Sequence, residues 1–257
     1  ATLRDDGSSR FAEENRWGLF PSLAFAWDIK GEKFLQSVSA VSQLKLRLGY
    51  GITGQQDIGR DYAYLANYTF GMDNAQAQFG NEWITTLRPE GYDKNLKWEE
   101  TTTYNAGIDF GIFKDKVFGS VDIYNRITKD MLNTIPVDAG ANLTNQILTN
   151  VGNMTNKGVE FSLSVRPISN KNLEWSVTFN GTINKNKLTK LTTSDDSTYV
   201  GVPTGSMGGA VGNYIQVHTV GFPVSSFYVY QQVYDNAGKP IEGLYVDKNL
   251  DGTITEL

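Results

Sequence analysis

The stretch Asp247-Lys248-Asn249-Leu250-Asp251-Gly252-Thr253-Ile254 carries oxygen-bearing side chains at its first, third and fifth positions and a glycine at its sixth. That spacing opens an EF-hand-type calcium loop, in which hard oxygens converge, glycine allows the sharp turn and a backbone carbonyl adds a ligand at the seventh position. It predicts a Ca²⁺ site built from Asp247, Asn249, Asp251 and the carbonyl of Thr253, which would stiffen a loop. No nitrogen or sulfur is offered to zinc. The bidentate glutamate of such loops belongs at the twelfth position, beyond Leu257, and Glu256 at the tenth would need a different geometry. A polar turn rich in Asp, Asn and Gly, with no metal, fits the same residues. Both readings stay open at this point.

Other groups capable of chemistry are sparse. Gly49-Tyr50-Gly51-Ile52-Thr53-Gly54 matches the glycine spacing of a dinucleotide loop, but that reading requires a helix to open at the last glycine. Gln55-Gln56-Asp57-Ile58-Gly59-Arg60 follows without helical periodicity, so glycines on a wet strand face explain the pattern better. His218 is the only histidine and lies in an alternating stretch, and cysteine is absent. A nucleophile–base relay or a zinc site would have to pass through His218. The acidic pairs Glu13-Glu14, Glu99-Glu100 and Asp195-Asp196 fall in polar loops or at strand starts and read as solvated charge. The sequence therefore predicts no catalytic residues and no enzyme. A net charge of -5 also argues against nucleic acid, which needs a basic face to meet phosphates.

What positions these residues is a set of strands with one apolar and one polar face. Leu44, Leu46, Leu48, Tyr50 and Ile52 alternate with Lys45, Arg47, Gly49 and Gly51. Two charges and two glycines cannot cover a second packed core, so that face meets water. The same period of two runs through Leu19–Ile29, Tyr104–Ile112, Val117–Ile127, Val159–Arg166 and Leu173–Asn184. Six clear strands result, with weaker ones at Ala1–Arg4 and Phe227–Val233. Pro21 cannot donate to a ladder and belongs at an edge or a bulge. Helical spacing of Phe34, Leu35, Val38 and Val41 predicts a short helix within Lys30–Gln43.

The connections alternate in length. Phe113–Val117 and Pro167–Leu173 are tight, whereas Thr53–Trp98, Lys129–Lys157 and Lys185–Ser225 are long. Short turns at one rim and long loops at the other form the pattern of a bacterial outer-membrane barrel. A transmembrane strand needs about 9–11 residues with every second one apolar. The fold class expected is all-β: a segment of an antiparallel transmembrane β-barrel with long extracellular loops and short periplasmic turns. Leu44, Ile108, Val121, Phe161 and Phe179 should then face lipid, and Arg47, Asp109, Asp122, Glu160 and Arg166 the lumen. Trp17, Trp27, Trp83, Trp98 and Trp175 should sit near strand ends or in loops, where aromatic residues meet membrane interfaces. Tyr62, Tyr64, Tyr68 and Trp83 could instead stack on a ligand. The alternative is a soluble β-rich carbohydrate-binding or adhesin module, and solubility without detergent separates the two. The start without Met and the stop at Leu257 inside a loop suggest a piece of a longer chain.

Several stretches resemble the SusC/RagA family of TonB-dependent outer-membrane transporters of Bacteroidetes. They are Asp6–Phe11, Asn15–Ser22, Leu44–Gln55, Leu96-Lys97-Trp98-Glu99, Val121–Asp130, Asn150–Glu160 and Asp247–Ile254, and they follow the family's order. The resemblance implies that residues 1–257 are part of one large barrel domain of about 22 strands. It implies a plug and closing strands lying outside this chain, and import of glycans or peptides. It also implies a SusD-like surface lipoprotein as partner and TonB acting through the absent N-terminal part.

Overall fold

The computed structural model describes residues 1–71, 75–138, 140–192, 199–206, 208, 214–247, 250 and 252. The chain divides into two compact units, Ala1–Asp196 and Ser197–Leu257. The first holds strands β1 (Thr2–Gly7), β2 (Trp17–Asp28) and β3 (Val41–Gln55). Four short strands follow in a long connection: β4 (Tyr68–Phe70), β5 (Gln76–Phe79), β6 (Glu82–Thr85) and β7 (Leu87–Pro89). Then come β8 (Glu99–Ile112), β9 (Val117–Pro136), β10 (Gln146–Ser169) and β11 (Glu174–Lys190). One antiparallel sheet runs β1-β2-β3-β8-β9-β10-β11. Each long strand thus pairs with the next long strand in the chain, and β1 and β11 are the edges. The second unit holds a three-stranded sheet of β12 (Val202–Ser206), β13 (Tyr214–His218) and β14 (Ser226–Phe227), and the pair β15 (Gln232–Tyr234) with β16 (Pro240–Tyr245).

The register carries the period-two alternation across the whole sheet. Trp27, Leu46, Ile108, Val121, Phe161 and Gly181 stand side by side in one row. Phe25, Leu48, Ala106, Ile123, Val159 and Ile183 form the next. These rows make one apolar face, and it is bare: Phe179 is 61 % and Ile183 72 % exposed. A sandwich would cover such a face with a second sheet. The opposite face carries Lys45, Arg47, Asp109, Asp122 and Glu160, so the two predicted sets do lie on opposite sides of the pleat.

Strand parity puts the connections after β3 and β9, and the Lys190 end of β11, at one rim and the turns around Asp115 and Asn170 at the other; the rest of Lys185–Ser225 leads into the second unit. The predicted lengths need correction. Lys129–Lys157 is not a loop: β9 runs on to Pro136 and β10 begins at Gln146, leaving residues 137–145 as the connection. At about 3.3 Å per residue, β10 is roughly 75 Å long, far more than an apolar belt of about 25 Å requires. Thr53–Trp98 likewise contains the pairs β4–β7 and β5–β6. The expected helix is one turn, α1 (Lys33–Gln36), preceded by a 3₁₀ turn at Ile29–Gly31. Pro21 lies in register opposite Leu3, and the β2–β3 ladder stops at Ser22 and Gly51, just before its missing N–H. It therefore marks a ladder end, without a bulge in the β1–β2 pair.

The turn after β8 is unusual. Phe113, Lys114 and Asp115 have φ of 56°, 57° and 60°, a left-handed run without glycine. Neighbouring groups hold it: the Phe113 N–H donates to the Ala40 carbonyl (2.8 Å), and the Ser42 hydroxyl donates to Asp115 Oδ1 (2.6 Å).

Candidate functional site

The buried core of the first unit sits at the loop rim, where β2 and β3 part above the Ser22–Gly51 pair. It comprises Phe11, Phe20, Ile58, Ala63, Leu96 and Trp98. Phe20 reaches over β3 at Gly54, where any Cβ would collide with its ring. Trp98 stacks obliquely on Phe11 (centroids 5.4 Å) and edge-on to Phe20 (5.3 Å). Its indole N–H donates to the Arg16 carbonyl at 3.2 Å. Trp98 is 7 % exposed, so the expectation of an interfacial tryptophan at this position fails. A buried indole needs both apolar neighbours and one acceptor, and it has both here.

Polar stitches fix the long connection to the strands around this knot. Asn150 pairs with both backbone groups of residue 97: the Lys97 N–H donates to Oδ1 and Nδ2 donates to the Lys97 carbonyl, each at 2.9 Å. Asn142 does the same to Tyr92, at 3.2 and 2.8 Å. Each asparagine side chain acts as a short extra strand residue for the loop. Asn150 Nδ2 also reaches the Asp130 carbonyl (2.7 Å), the Asp130 N–H donates to Asn153 Oδ1 (3.1 Å), and Lys97 Nζ pairs with the Asp130 carboxylate (2.8 Å). Bulges between Asn150 and Met154 open the ladder here, and Asp130 has φ of 57°. Arg10 ties the β1–β2 connection to the same region through Asp57 (2.9 Å) and Asp61 (3.1 Å). The Gly59 backbone N–H and then Arg10 hold the Asp57 carboxyl below its ordinary range. A Thr69 hydroxyl at 2.6 Å lowers Glu90 in the same way, assisted by Arg88 and Arg60 against partial desolvation.

On the polar face of the sheet, Arg47, Gly107 and Asp122 share a row across β3, β8 and β9. Gly107 leaves space where a Cβ would meet both the guanidinium and the carboxylate. Arg47 crosses that space to Asp122 (2.9 Å) and pairs diagonally with Asp109 (2.8 Å). One side chain thus joins three strands.

The predicted calcium ligands belong to the second unit. Asp247 is described; Asn249, Asp251 and Thr253 lie outside the described residues. Asp247 Oδ1 accepts the Leu250 N–H (2.8 Å) and Oδ2 the Gly252 N–H (2.9 Å), the geometry of a side chain closing a tight loop. Gly49–Gly54 continues as strand β3 with no helix after it, which removes the dinucleotide reading. His218 Nε2 lies 3.2 Å from the Ser225 hydroxyl. Tyr68 and Trp83 are each 63 % exposed, on the short paired strands β4 and β6 of the long connection. Asn142 and Asn150 are positioning residues that residue types alone did not single out, and Trp98 was singled out for another role. The one sequence signal was that Leu96–Glu99 and Asn150–Glu160 both belong to the stretches that resemble the transporter family.

The model of the family described as TonB dependent receptor-like, beta-barrel, matches residues 1–249. The TonB-dependent receptor SusC of Bacteroides thetaiotaomicron is 49 % identical over 98 % of this chain and 25 % of its own length. The TonB-dependent receptor P39 of Formosa agariphila is 34 % identical over 98 % of this chain and 22 % of its own. Among solved structures, that of the RagAB peptide transporter superposes with a TM-score of 0.73 at 27 % identity, covering 91 % of this chain and 24 % of that one. The chain spans about a quarter of the length of the relatives it matches.

Proposed function

The chain belongs to the TonB-dependent receptor-like β-barrel family, and from that premise we propose that it forms wall and loops of an outer-membrane importer of glycans or peptides. In this reading residues 1–257 are part of one barrel domain. The apolar face meets lipid, the face of Arg47 lines the lumen, and the loop rim lies outside the cell. A SusD-like lipoprotein sits over that rim, and TonB supplies the energy through a part of the protein outside this chain. The observation that carries the reading is the seven-stranded antiparallel sheet, apolar and bare on one face and charged on the other. The knot around Trp98 gives the long connection a fixed base from which Tyr68 and Trp83 can meet cargo.

The test uses the full-length protein in its native host. Expected are recovery in the outer-membrane fraction, co-purification with a lipoprotein, and loss of oligosaccharide or peptide uptake on deletion. Cleavage of intact cells should fall within residues 56–98 and spare Asp115. Recovery as a monodisperse protein without detergent would favour the soluble binding module instead.

The loop at Asp247 is proposed to hold Ca²⁺ through Asp247, Asn249, Asp251 and the Thr253 carbonyl. Its support is the spacing of oxygen donors and the tight turn that Asp247 closes on Leu250 and Gly252. Calorimetry of the full-length protein with millimolar Ca²⁺ should give heat that Asp247→Ala abolishes. Equal silence from both proteins would leave a polar turn.

A further inference from the structure

The apolar face changes character just short of the loop rim. Above the row of Ile123, Val159 and Ile183, the next row on the same face is Asn125, Lys157 and Lys185. The row after that is Ile127, Thr155 and Lys187. Lys157 and Lys185 are directly opposite each other on paired strands, with Cβ atoms about 5 Å apart, a like-charge placement that destabilises a sheet. Lys187 is two residues further along the same face, and all three are exposed.

No acid on β9, β10 or β11 shares this face with them. Over 117–129, 155–165 and 177–189, the residues of β9, β10 and β11 on the apolar side include four lysines and no aspartate or glutamate. Lys129 stands opposite Glu100. Lys157 lies between Asn125 and Lys185, and neither it nor Lys185 nor Lys187 forms an ion pair among the described residues. The polar face of the sheet differs: Arg47 on β3 has two carboxylates, and Lys45 stands opposite Asp109 on β8. Tyr50 and Tyr104, in the row of Lys157, stack at 5.2 Å, as aromatic residues do at a membrane interface.

We infer that Lys157, Lys185 and Lys187 form a docking site for the phosphorylated headgroup of a lipid in the leaflet at the loop rim. The inference rests on the reading of this face as lipid-facing. The site is continuous with the apolar belt, so a lipid whose chains lie along Ile123, Val159 and Ile183 places its headgroup at the height of the lysines. Extended lysine stems can cover the apolar rows beneath while their ammonium groups reach up to phosphate. The anion also relieves the repulsion between Lys157 and Lys185. At about 1 kcal/mol per basic residue near an anionic surface, three lysines correspond to roughly a hundredfold in affinity.

The test is titration of the detergent-solubilised full-length protein with a fluorescent phosphorylated glycolipid, lipid A, and with the same lipid after enzymatic dephosphorylation. The K157Q/K185Q/K187Q variant is compared with K114Q/K116Q at the opposite rim. Expected are binding of the phosphorylated lipid by the wild type and K114Q/K116Q, roughly a hundredfold loss in the triple variant, and weak binding of the dephosphorylated lipid by all. Displacement by inorganic phosphate at low millimolar concentration would assign the lysines to a free anion and overturn the lipid source. Equal binding of both lipids, or no loss in the triple variant, would overturn the site while leaving a detergent-requiring barrel intact. A wild type that stays monodisperse without detergent would overturn the membrane reading, and this site with it.

Discussion

Replacing Trp98 by alanine should release the long connection from the sheet without unfolding the sheet. The side chain is 7 % exposed and lies against Phe11 and Phe20 with centroids 5.4 and 5.3 Å away. Truncating a buried aromatic side chain costs about 3–5 kcal/mol. Two aromatic pairs at about 0.5–1.5 kcal/mol each account for a sizeable part of that. The Arg16 carbonyl also loses its donor. The ladders from β3 to β11 involve none of these atoms, so the cost falls on local opening of residues 56–98. A loss of about 3 kcal/mol raises the open population more than a hundredfold. Hydrogen exchange followed by mass spectrometry on the full-length protein in detergent reads this directly. Peptides covering Ile58 to Ala63 and Leu96 should lose about two orders of magnitude in protection, while peptides covering Val121–Ile127 keep theirs. Trp98→Phe keeps one ring against Phe11 and Phe20 but drops the hydrogen bond and some volume, and should cost less than Trp98→Ala but more than the about 1 kcal/mol of the hydrogen bond alone. Unchanged protection at Ile58, or equal loss across β9 and β10, would refute the assignment of Trp98 as a local anchor.

Asn150→Asp keeps the shape but removes the donor to the Lys97 and Asp130 carbonyls; about 1–3 kcal/mol of loop anchoring should go, seen as faster proteolysis near Lys97. Because Glu90 is depressed in the folded state, its contribution is present above its unfolded value of about 4.3 and is lost as pH falls through the folded value. Protection at β4 and β7, taken relative to the intrinsic exchange rate at each pH, should therefore fall in acid, and Glu90→Gln should flatten that fall. Phe161→Arg on the apolar face should cost about 2–4 kcal/mol of stability in bilayers, whereas Glu160→Gln on the other face should be nearly neutral; equal effects in a vesicle-refolding assay would contradict the facing. Lys114→Gly should stabilise the turn by about 1 kcal/mol, since glycine adopts φ of 57° without the Cβ clash; a lower denaturation midpoint would count against the strain.

The facing of each strand was legible in the sequence because a bare apolar side and a wet polar side impose a period of two. The true length of β9 and β10 was not. Past the lysine rows both faces leave the belt, so Thr128, Asp130, Asn133 and Thr134 alternate with nothing distinctive, and a solvated strand reads like a loop. Trp98 was misplaced for a related reason: tryptophan suits both a membrane interface and a buried knot, and only the approach of Phe11 and Phe20 from other segments decides. The left-handed run Phe113-Lys114-Asp115 was legible as a turn but not as this turn, because Ala40, just before β3, and Ser42, on β3, hold it. For the calcium loop, the spacing located Asp247 at a tight bend, while its other predicted ligands fall outside the described residues.

A period of two has a blind spot. Sliding one strand past its neighbour by two residues returns every apolar side chain to the apolar face, so greasiness alone cannot reject the slipped pairing. The Arg47–Gly107–Asp122 row can. A two-residue slip of β8 against β3 would bring Asn105 or Asp109 to the place of Gly107, directly in the path of the guanidinium. The arrangement works as a keyed lock: only with glycine in this row can the guanidinium cross β8 to reach the Asp122 carboxylate, which ties the alignment of three strands together and, through them, that of the rim they carry.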